Sequence, residues 1–352
     1  MRNLQSIDYS VVFNDGFEHL VSLLEERKYD KVFVLTDRNT GEYCLPVFTK
    51  LMPTDFSYDI IEVDPGEENK NIDFCIGVWK MLLDFGAERN SLMINLGGGV
   101  VTDMGGFAAS TYKRGIDFIQ IPTSLLSQVD ASVGGKTGID LDSVKNIIGT
   151  FTQPQAVYVH TDFLKTLDRR QLISGFAEMI KHGFIFDGDY FQALKAFDFE
   201  NPSAELIHRS VEIKNEVVME DPKEKGLRKI LNFGHTIGHA VETYSIENDS
   251  DPLLHGEAIA IGMICEAYLS HAYKGLAADQ LAEIVQYIQS VFPAYELKSA
   301  SFDALLAIMK NDKKNVGGKI GFSLLTEIGK CSFNLYLEED KIKEAFTYYQ
   351  SL

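Results

Sequence analysis

Residues 91–110 read SLMINLGGGVVTDMGGFAAS. The first six are an apolar run of strand length, Gly97, Gly98 and Gly99 follow at once, and VVTDMGGFAAS reads as the start of a helix. Glycines at such a turn let a phosphate approach backbone N–H groups at the positive end of the helix. Against the dinucleotide fingerprint G-x-G-x-x-G, Thr102 stands where the third glycine belongs, and the stretch follows a late strand rather than the first. A tight strand-to-helix turn with no ligand would use the same glycines.

Outward from this stretch, KVFVLTD (31–37), SYDIIEVD (57–64), DFIQIP (117–122) and AVYVH (156–160) read as further buried strands, with helical patterns between several of them. Strands that alternate with helices predict an α/β domain with a mainly parallel sheet, whose ligands sit at the carboxyl ends of the strands. After about Thr166 strand signals nearly vanish. RQLISGFAEMIKHGFI, AELIHRSVEIKNEVVM, HGEAIAIGMICEAYLSHAY, LAEIVQYIQSVF and FDALLAIMK carry helical periodicity instead. The sequence therefore predicts an α/β domain over residues 1–165 and a helical domain over residues 166–352.

The chain has 352 residues, 45% hydrophobic and 24% charged, which suits an ordinary globular enzyme large enough for two cores. Its 51 acidic and 33 basic residues give a formal net charge of -18, which argues against nucleic acid or an anionic membrane as a general partner. Cys44, Cys75, Cys265 and Cys331 are scattered without a C-x-x-C, so neither a disulfide framework nor a thiolate zinc knuckle is expected, and a reducing cytoplasm fits. The N-terminus lacks an apolar core of signal-peptide length, and the apolar stretch from Ala258 stops at Glu266. Neither export nor a membrane span is expected.

The chemistry-bearing residues cluster after residue 130. LNFGHTIGHAVE (231–242) places His235 and His239 on one helix face, but Thr236 stands where the HExxH proteases carry their glutamate. An isolated H-x-x-x-H is more often a surface or core-satisfied pair. In GFAEMIKHGFI, Glu178, Lys181 and His182 share a face, as an exposed ion pair would too. Lys214 and Arg228 lie ahead of the histidines, Arg228 and Asn232 are four apart, and His255 in LLHGEAIAIGM begins or caps a buried helix. Two imidazoles and one carboxylate with an open fourth position commonly hold catalytic zinc. Glu178 with two of His235, His239 and His255 supplies that set, and spacing does not say which two. In QVDASVGGKTGID, Lys136 follows Gly134 and Gly135 and can contact a phosphate; a solvated loop explains Asp130, Lys136 and Lys145 equally well.

GGGVVTDMGGFAAS, YKRGIDFIQIPTSLLSQVDASVGGKTGIDL, KNIIGTF, FAEMIKHG, LRKILNFGHTIGHAVE and HGEAIAIGM together resemble the 3-dehydroquinate synthases of the sugar phosphate cyclase family, in order and over about residues 30 to 330. The resemblance implies a homodimer with an N-terminal Rossmann-like NAD-binding domain and a helical zinc-binding domain. It implies Glu178, His235 and His255 as metal ligands and leaves His239 to contact substrate. It assigns NAD to Asp37, Glu67, Lys70, Gly99, Val100, Val101, Thr102, Asp103, Thr123, Ser124, Lys136, Lys145, Phe163, Leu164, Lys165 and Thr166. Substrate contacts fall to Asp130, Lys136, Lys145, Asn146, Lys181, Lys214, Arg228 and Asn232, to a lysine of NDKK (Lys313 is favoured over Lys314), and to Arg114 from a partner subunit.

The implied reaction converts 3-deoxy-D-arabino-heptulosonate 7-phosphate to 3-dehydroquinate and phosphate in the shikimate pathway of aromatic amino acid biosynthesis. NAD oxidises the C5 alcohol, phosphate is eliminated, the hydride returns, and the opened ring closes again by aldol addition. Cobalt would suit the same ligands as zinc. The chain departs from the family pattern at Thr102, where glycine is frequent, and at Pro222, where an acidic pair is frequent. Alternatives are a cyclase for another sugar phosphate, a metal-dependent polyol dehydrogenase, or a catalytically silent metal-binding module. Uncharged polyols would not need the cluster of Lys and Arg.

Overall fold

The computed structural model describes residues 2–14, 16–141, 144–310 and 319–352. Its strands are β1 (Leu4–Gln5), β2 (Ser10–Phe13), β3 (Lys31–Asp37), β4 (Asp59–Val63), β5 (Ser91–Gly97), β6 (Asp117–Pro122), β7 (Lys136–Leu141), β8 (Val144–Phe151), β9 (Ala156–Val159), β10 (Ile320–Glu327) and β11 (Lys330–Leu337). The chain forms two units: Met1–Asp168 with Pro202–Asn215, and Arg169–Asn201 with Glu216–Leu352. Pro202–Asn215, which the sequence reading groups with the helical domain, thus belongs to the sheet-bearing unit.

In the first unit seven strands lie in the order β1-β2-β9-β6-β5-β3-β4. All neighbours are parallel except the β1–β2 pair. The uninterrupted apolar runs arise because both faces of the sheet are covered. Phe33, Leu35 and Met93 point to one core with Cys75, Val78 and Leu82 of the Ile72–Asp84 helix and Met104 and Phe107 of the Gly99–Thr111 helix. Val32, Val34, Leu92, Ile94, Ile119 and Ile121 point to the other, with Leu20 and Phe48.

A polar thread crosses the centre of this apolar sheet. Asn95 donates to Gln120 Oε1 (3.1 Å), and Gln120 Nε2 donates to the Thr102 carbonyl (2.9 Å), which ties the helix after the glycine turn to β6. The helix lies so close that a Cβ on Gly105 would stand 2.2 Å from Asn95 Oδ1 and 2.7 Å from Leu35 Cδ2.

Three hairpins have no counterpart in the sequence reading. β1–β2 is short, and β7–β8 is rich in glycine, with a backbone so close at Gly149 that a Cβ would lie 2.3 Å from the Thr137 carbonyl oxygen. β10–β11, in the second unit, lacks a clean alternation because its register shifts between Phe322 and Leu324 and again between Leu325 and Glu327.

The second unit is otherwise helical, as expected. The His255–Lys274 helix is buried along nearly its whole length, so its pattern is apolar all round rather than amphipathic. Two glycines set its neighbours: a Cβ on Gly256 would lie 1.9 Å from the Ser174 carbonyl oxygen, and one on Gly262 would lie 1.9 Å from that of Gly234. No other residue fits there.

Gly105→Ala should destabilise the protein by about 1–3 kcal/mol in chemical denaturation, because overpacking against Asn95 outweighs the better helix propensity of alanine. A more stable variant would contradict this packing.

Candidate active site

Three helices of the second unit converge. Arg169–Phe186 carries Glu178, His235–Asn248 begins with His235 and carries His239 one turn later, and His255–Lys274 begins with His255. Glu178 is fully buried, and its Oε1 lies 3.5 Å from His235 Nε2 and 3.6 Å from His255 Nε2. That oxygen has no hydrogen-bond partner. The other, Oε2, accepts from the buried ammonium of Lys181. The His239 ring lies 5.0 Å from that of His235 and 5.7 Å from that of His255.

A divalent cation fits this set. Ligand atoms that each stand 2.0–2.1 Å from a tetrahedral zinc lie about 3.3 Å from one another, close to the observed spacings. The imidazoles are already turned for the task. His235 Nδ1 lies 3.0 Å from the Phe233 carbonyl oxygen and His255 Nδ1 lies 3.3 Å from Glu242 Oε2, so each ring uses Nδ1 for its support and presents Nε2 to Glu178. Sequence reasoning missed Glu242, which reaches His255 only because two separate helices cross. It missed Arg170 and Glu257 as well. Their bidentate pair (2.7 and 2.9 Å) ties the start of the His255 helix to the start of the Glu178 helix.

The charge states follow from this packing. Burial works to raise the Glu178 carboxyl, but Lys181 and then the two imidazoles overcome it and hold the group well below the usual carboxylate range. Burial, reinforced by Lys181, pushes His235 down to about 3. For His255 burial also opposes charge, yet Glu242 and Glu178 carry it up to about 10.

Other expected residues of this unit lie near a turn. Arg228 donates to the Pro222 carbonyl (2.8 Å) and Asn232 to Glu224 Oε1 (2.7 Å). Leu227–Asn232 is a 3-10 turn, so Arg228 and Asn232 do not share a face as they would four apart on an α-helix. Lys313 and Lys314 lie outside the described residues.

In the first unit the glycine turn ends β5 and opens the Gly99–Thr111 helix, whose cap, Gly98, has no side chain to satisfy the first-turn N–H groups. A Cβ on Gly98 would stand 3.5 Å from Ser124 Oγ and one on Gly99 3.6 Å from Ala131 Cβ, so the glycines keep a cradle open in front of those donors. Asp37 ends the neighbouring β3, where its carboxylate also caps a short helix through Thr40 N (2.8 Å). Lys70, buried, donates to Asp103 (2.7 Å) and to Asn146 Oδ1 (2.7 Å), while Lys145 lies 3.6 Å from Glu67. Burial opposes the Lys70 charge, but Asp103 and Glu67 hold its pKa well above the usual lysine range. Lys214 pairs with Asp130 at 2.7 Å.

The remaining residues expected at NAD or substrate take the following places. Thr102 is buried, with its hydroxyl on the Gly98 and Gly99 carbonyls, and Val101 is buried beside it. Thr123 is buried too, its N–H donating to the Gly97 carbonyl (2.9 Å), whereas Val100 is half-buried at the first turn. Phe163 and Leu164 are core residues, Lys165 pairs with Asp162 (2.7 Å), and Thr166 is exposed. Lys136 and Arg114 are exposed, the latter with left-handed backbone (φ 73°) next to Lys113 (φ 48°).

The family model described as 3-dehydroquinate synthase N-terminal matches residues 60–174, and the C-terminal one matches residues 175–315. The 3-dehydroquinate synthase of Parabacteroides distasonis is 43% identical, over 97% of this chain and 97% of its own. The chain belongs to the 3-dehydroquinate synthase family. It is an enzyme of that activity. Another 3-dehydroquinate synthase, from Alkaliphilus metalliredigens, is 39% identical over 91% of this chain and 90% of its own. Among solved structures, 2-deoxy-scyllo-inosose synthase complexed with carbaglucose-6-phosphate, NAD+ and Co2+ has a TM-score of 0.85 at 25% identity, covering 98% of this chain and 99% of its own. A 2-epi-5-epi-valiolone synthase from Streptomyces hygroscopicus with NAD+ and Zn2+ bound has a TM-score of 0.84 at 26% identity, covering 100% and 99%.

Zinc binding at pH 7 should release about one proton per chain, read by calorimetry in buffers of different ionisation enthalpy. His255 is the group that gives it up, since Glu178 and His235 are already deprotonated. Zinc affinity should accordingly rise with pH until His255 loses its proton, and proton-free binding at pH 7 would contradict the assignment.

Proposed function

We propose that this enzyme converts 3-deoxy-D-arabino-heptulosonate 7-phosphate to 3-dehydroquinate and phosphate, with NAD on the first unit and zinc or cobalt on Glu178, His235 and His255. The observation that carries the metal part is the buried Glu178 oxygen, which faces two imidazole nitrogens without a hydrogen bond of its own. When bound, NAD supplies the transient oxidation at C5 and its later reversal, and the metal polarises the oxygen at that carbon as a Lewis acid.

The side chains do the rest. Lys181 neutralises one Glu178 oxygen and leaves the other for the cation. His239, beside the ligand pair, donates or accepts hydrogen bonds and protons at the sugar hydroxyls. Uncapped N–H groups at the start of the Gly99–Thr111 helix suit the pyrophosphate of NAD, and Asp37 at the end of the adjacent strand suits a ribose hydroxyl. Lys136 and Lys214 on the first unit, and Arg228 on the second, each supply positive charge that suits a substrate carrying a phosphate and a carboxylate, against the negative balance of the whole chain. Asp130, Asn146 and Asn232 complete the polar contacts. The task is chiefly positioning and charge stabilisation.

Kinship with the family supports a homodimer in which Arg114, exposed on a left-handed turn, serves the partner's site. A cytoplasmic setting agrees with four free cysteines. No helix among the described residues is long and apolar enough to cross a membrane.

The heptulosonate phosphate, incubated with the protein, NAD and zinc, should yield one phosphate and one cyclic ketone per molecule consumed, with no NADH accumulating at 340 nm. Lasting NADH would favour a polyol dehydrogenase instead. Lys136→Ala should lower kcat/KM by roughly 10- to 100-fold, the loss of one charge-assisted contact, with an unchanged melting profile; undiminished kinetics would remove Lys136 from the phosphate site.

A further inference from the structure

The His235–Asn248 helix starts after Gly234, which has left-handed backbone (φ 78°) and no side chain with which to cap it. The cap comes from elsewhere. Glu266, about three turns along the helix that begins with His255, accepts from Gly234 N (2.7 Å) and from Ile237 N (3.0 Å), the N–H groups on either side of His235. It reaches them because the two helices cross at glycine: a Cβ on Gly262, one turn before Glu266, would lie 1.9 Å from the Gly234 carbonyl oxygen and 2.7 Å from Gly238 N.

A fully buried carboxylate is a costly cap, but the N-cap position cannot supply its own: Gly234 is buried, and a Cβ there would lie 2.5 Å from Met263 Cγ. What it adds is a fixed distance between two helices. One end of Glu266 belongs to the helix of His255 and the other holds the turn of His235, so a single side chain sets the two imidazole nitrogens relative to each other. The positive end of the His235–Asn248 helix stabilises the charge that does this.

We propose that Glu266 is a positioning residue for the metal site: it holds His235 in register with His255 through the N–H groups of Gly234 and Ile237. The inference rests on the metal reading above. Glu266→Gln keeps the shape but sets an amide against one of the two N–H groups, so zinc affinity, measured by competition with a chromophoric chelator, should weaken about 10- to 100-fold. The visible absorption of the cobalt-substituted protein should shift with it. Ser270→Ala provides the control, since Ser270 donates to the Glu266 carbonyl (2.6 Å) and accepts from Leu325 N (2.9 Å) without touching the His235 turn. It should lower the melting temperature and leave zinc affinity unchanged.

Zinc binding by Glu266→Gln equal to wild type, or an equal loss in Ser270→Ala, overturns the inference. If Glu266→Gln does not fold, Glu266→Asp, which draws the carboxylate back by one carbon, carries the same expectation and the same refutation. A wild-type chain that binds no zinc would instead sink the metal reading itself.

Discussion

The second unit is organised around one carboxylate. Glu178 is removed from water; Lys181 donates to one of its oxygens, and the other faces His235 and His255 without a hydrogen bond. A buried charge left in that state costs several kcal/mol unless a cation or a full set of hydrogen bonds meets it. The charged His255 ring meets part of that need without metal, and a divalent cation at ligand spacing from Glu178 Oε1 and both Nε2 atoms would take the place of its proton. Much of the surrounding architecture serves that convergence. Gly256 and Gly262 let the buried helix approach both of its partners at backbone distance, and Glu242, Glu257 and Glu266 then fix rotation and height.

The first unit solves a different problem, which is to hold a turn open at the end of a sheet buried on both faces. Gly98 and Gly99 keep the cradle clear, Gly105 lets the helix settle onto the sheet, and the Asn95–Gln120–Thr102 thread fixes the angle at which it leaves β5. The Lys70, Asp103 and Asn146 cluster then places paired charge beside that helix, and Asp103 belongs to the helix itself.

The parallel strands were legible because two-sided burial makes them continuous apolar runs, as in KVFVLTD and SLMINL, and the long helices because their periodicity spans several turns. The hairpins were not. In β7–β8 the charged, amide and glycine residues Lys136, Gly138, Asp140, Lys145, Asn146 and Gly149 interrupt the apolar pattern, and in β10–β11 shifts of register break the alternation. At the site, residue types and helix spacing pointed to Glu178 with two of His235, His239 and His255, but which imidazoles face Glu178 depends on how separate helices cross, which no local pattern encodes. Glu242 and Glu266 escaped for the same reason. Each acts on a backbone or ring brought close only by tertiary packing, and Thr102, which reads as a departure from a glycine fingerprint, turns its hydroxyl into its own helix.

Anomalous diffraction at the zinc edge on crystals of the zinc-loaded protein tests the central claim most directly. The account predicts a single strong peak within about 2.2 Å of Glu178 Oε1, His235 Nε2 and His255 Nε2. A peak bound by other residues, or none in that pocket with Glu178 Oε1 hydrogen-bonded to water, would contradict it.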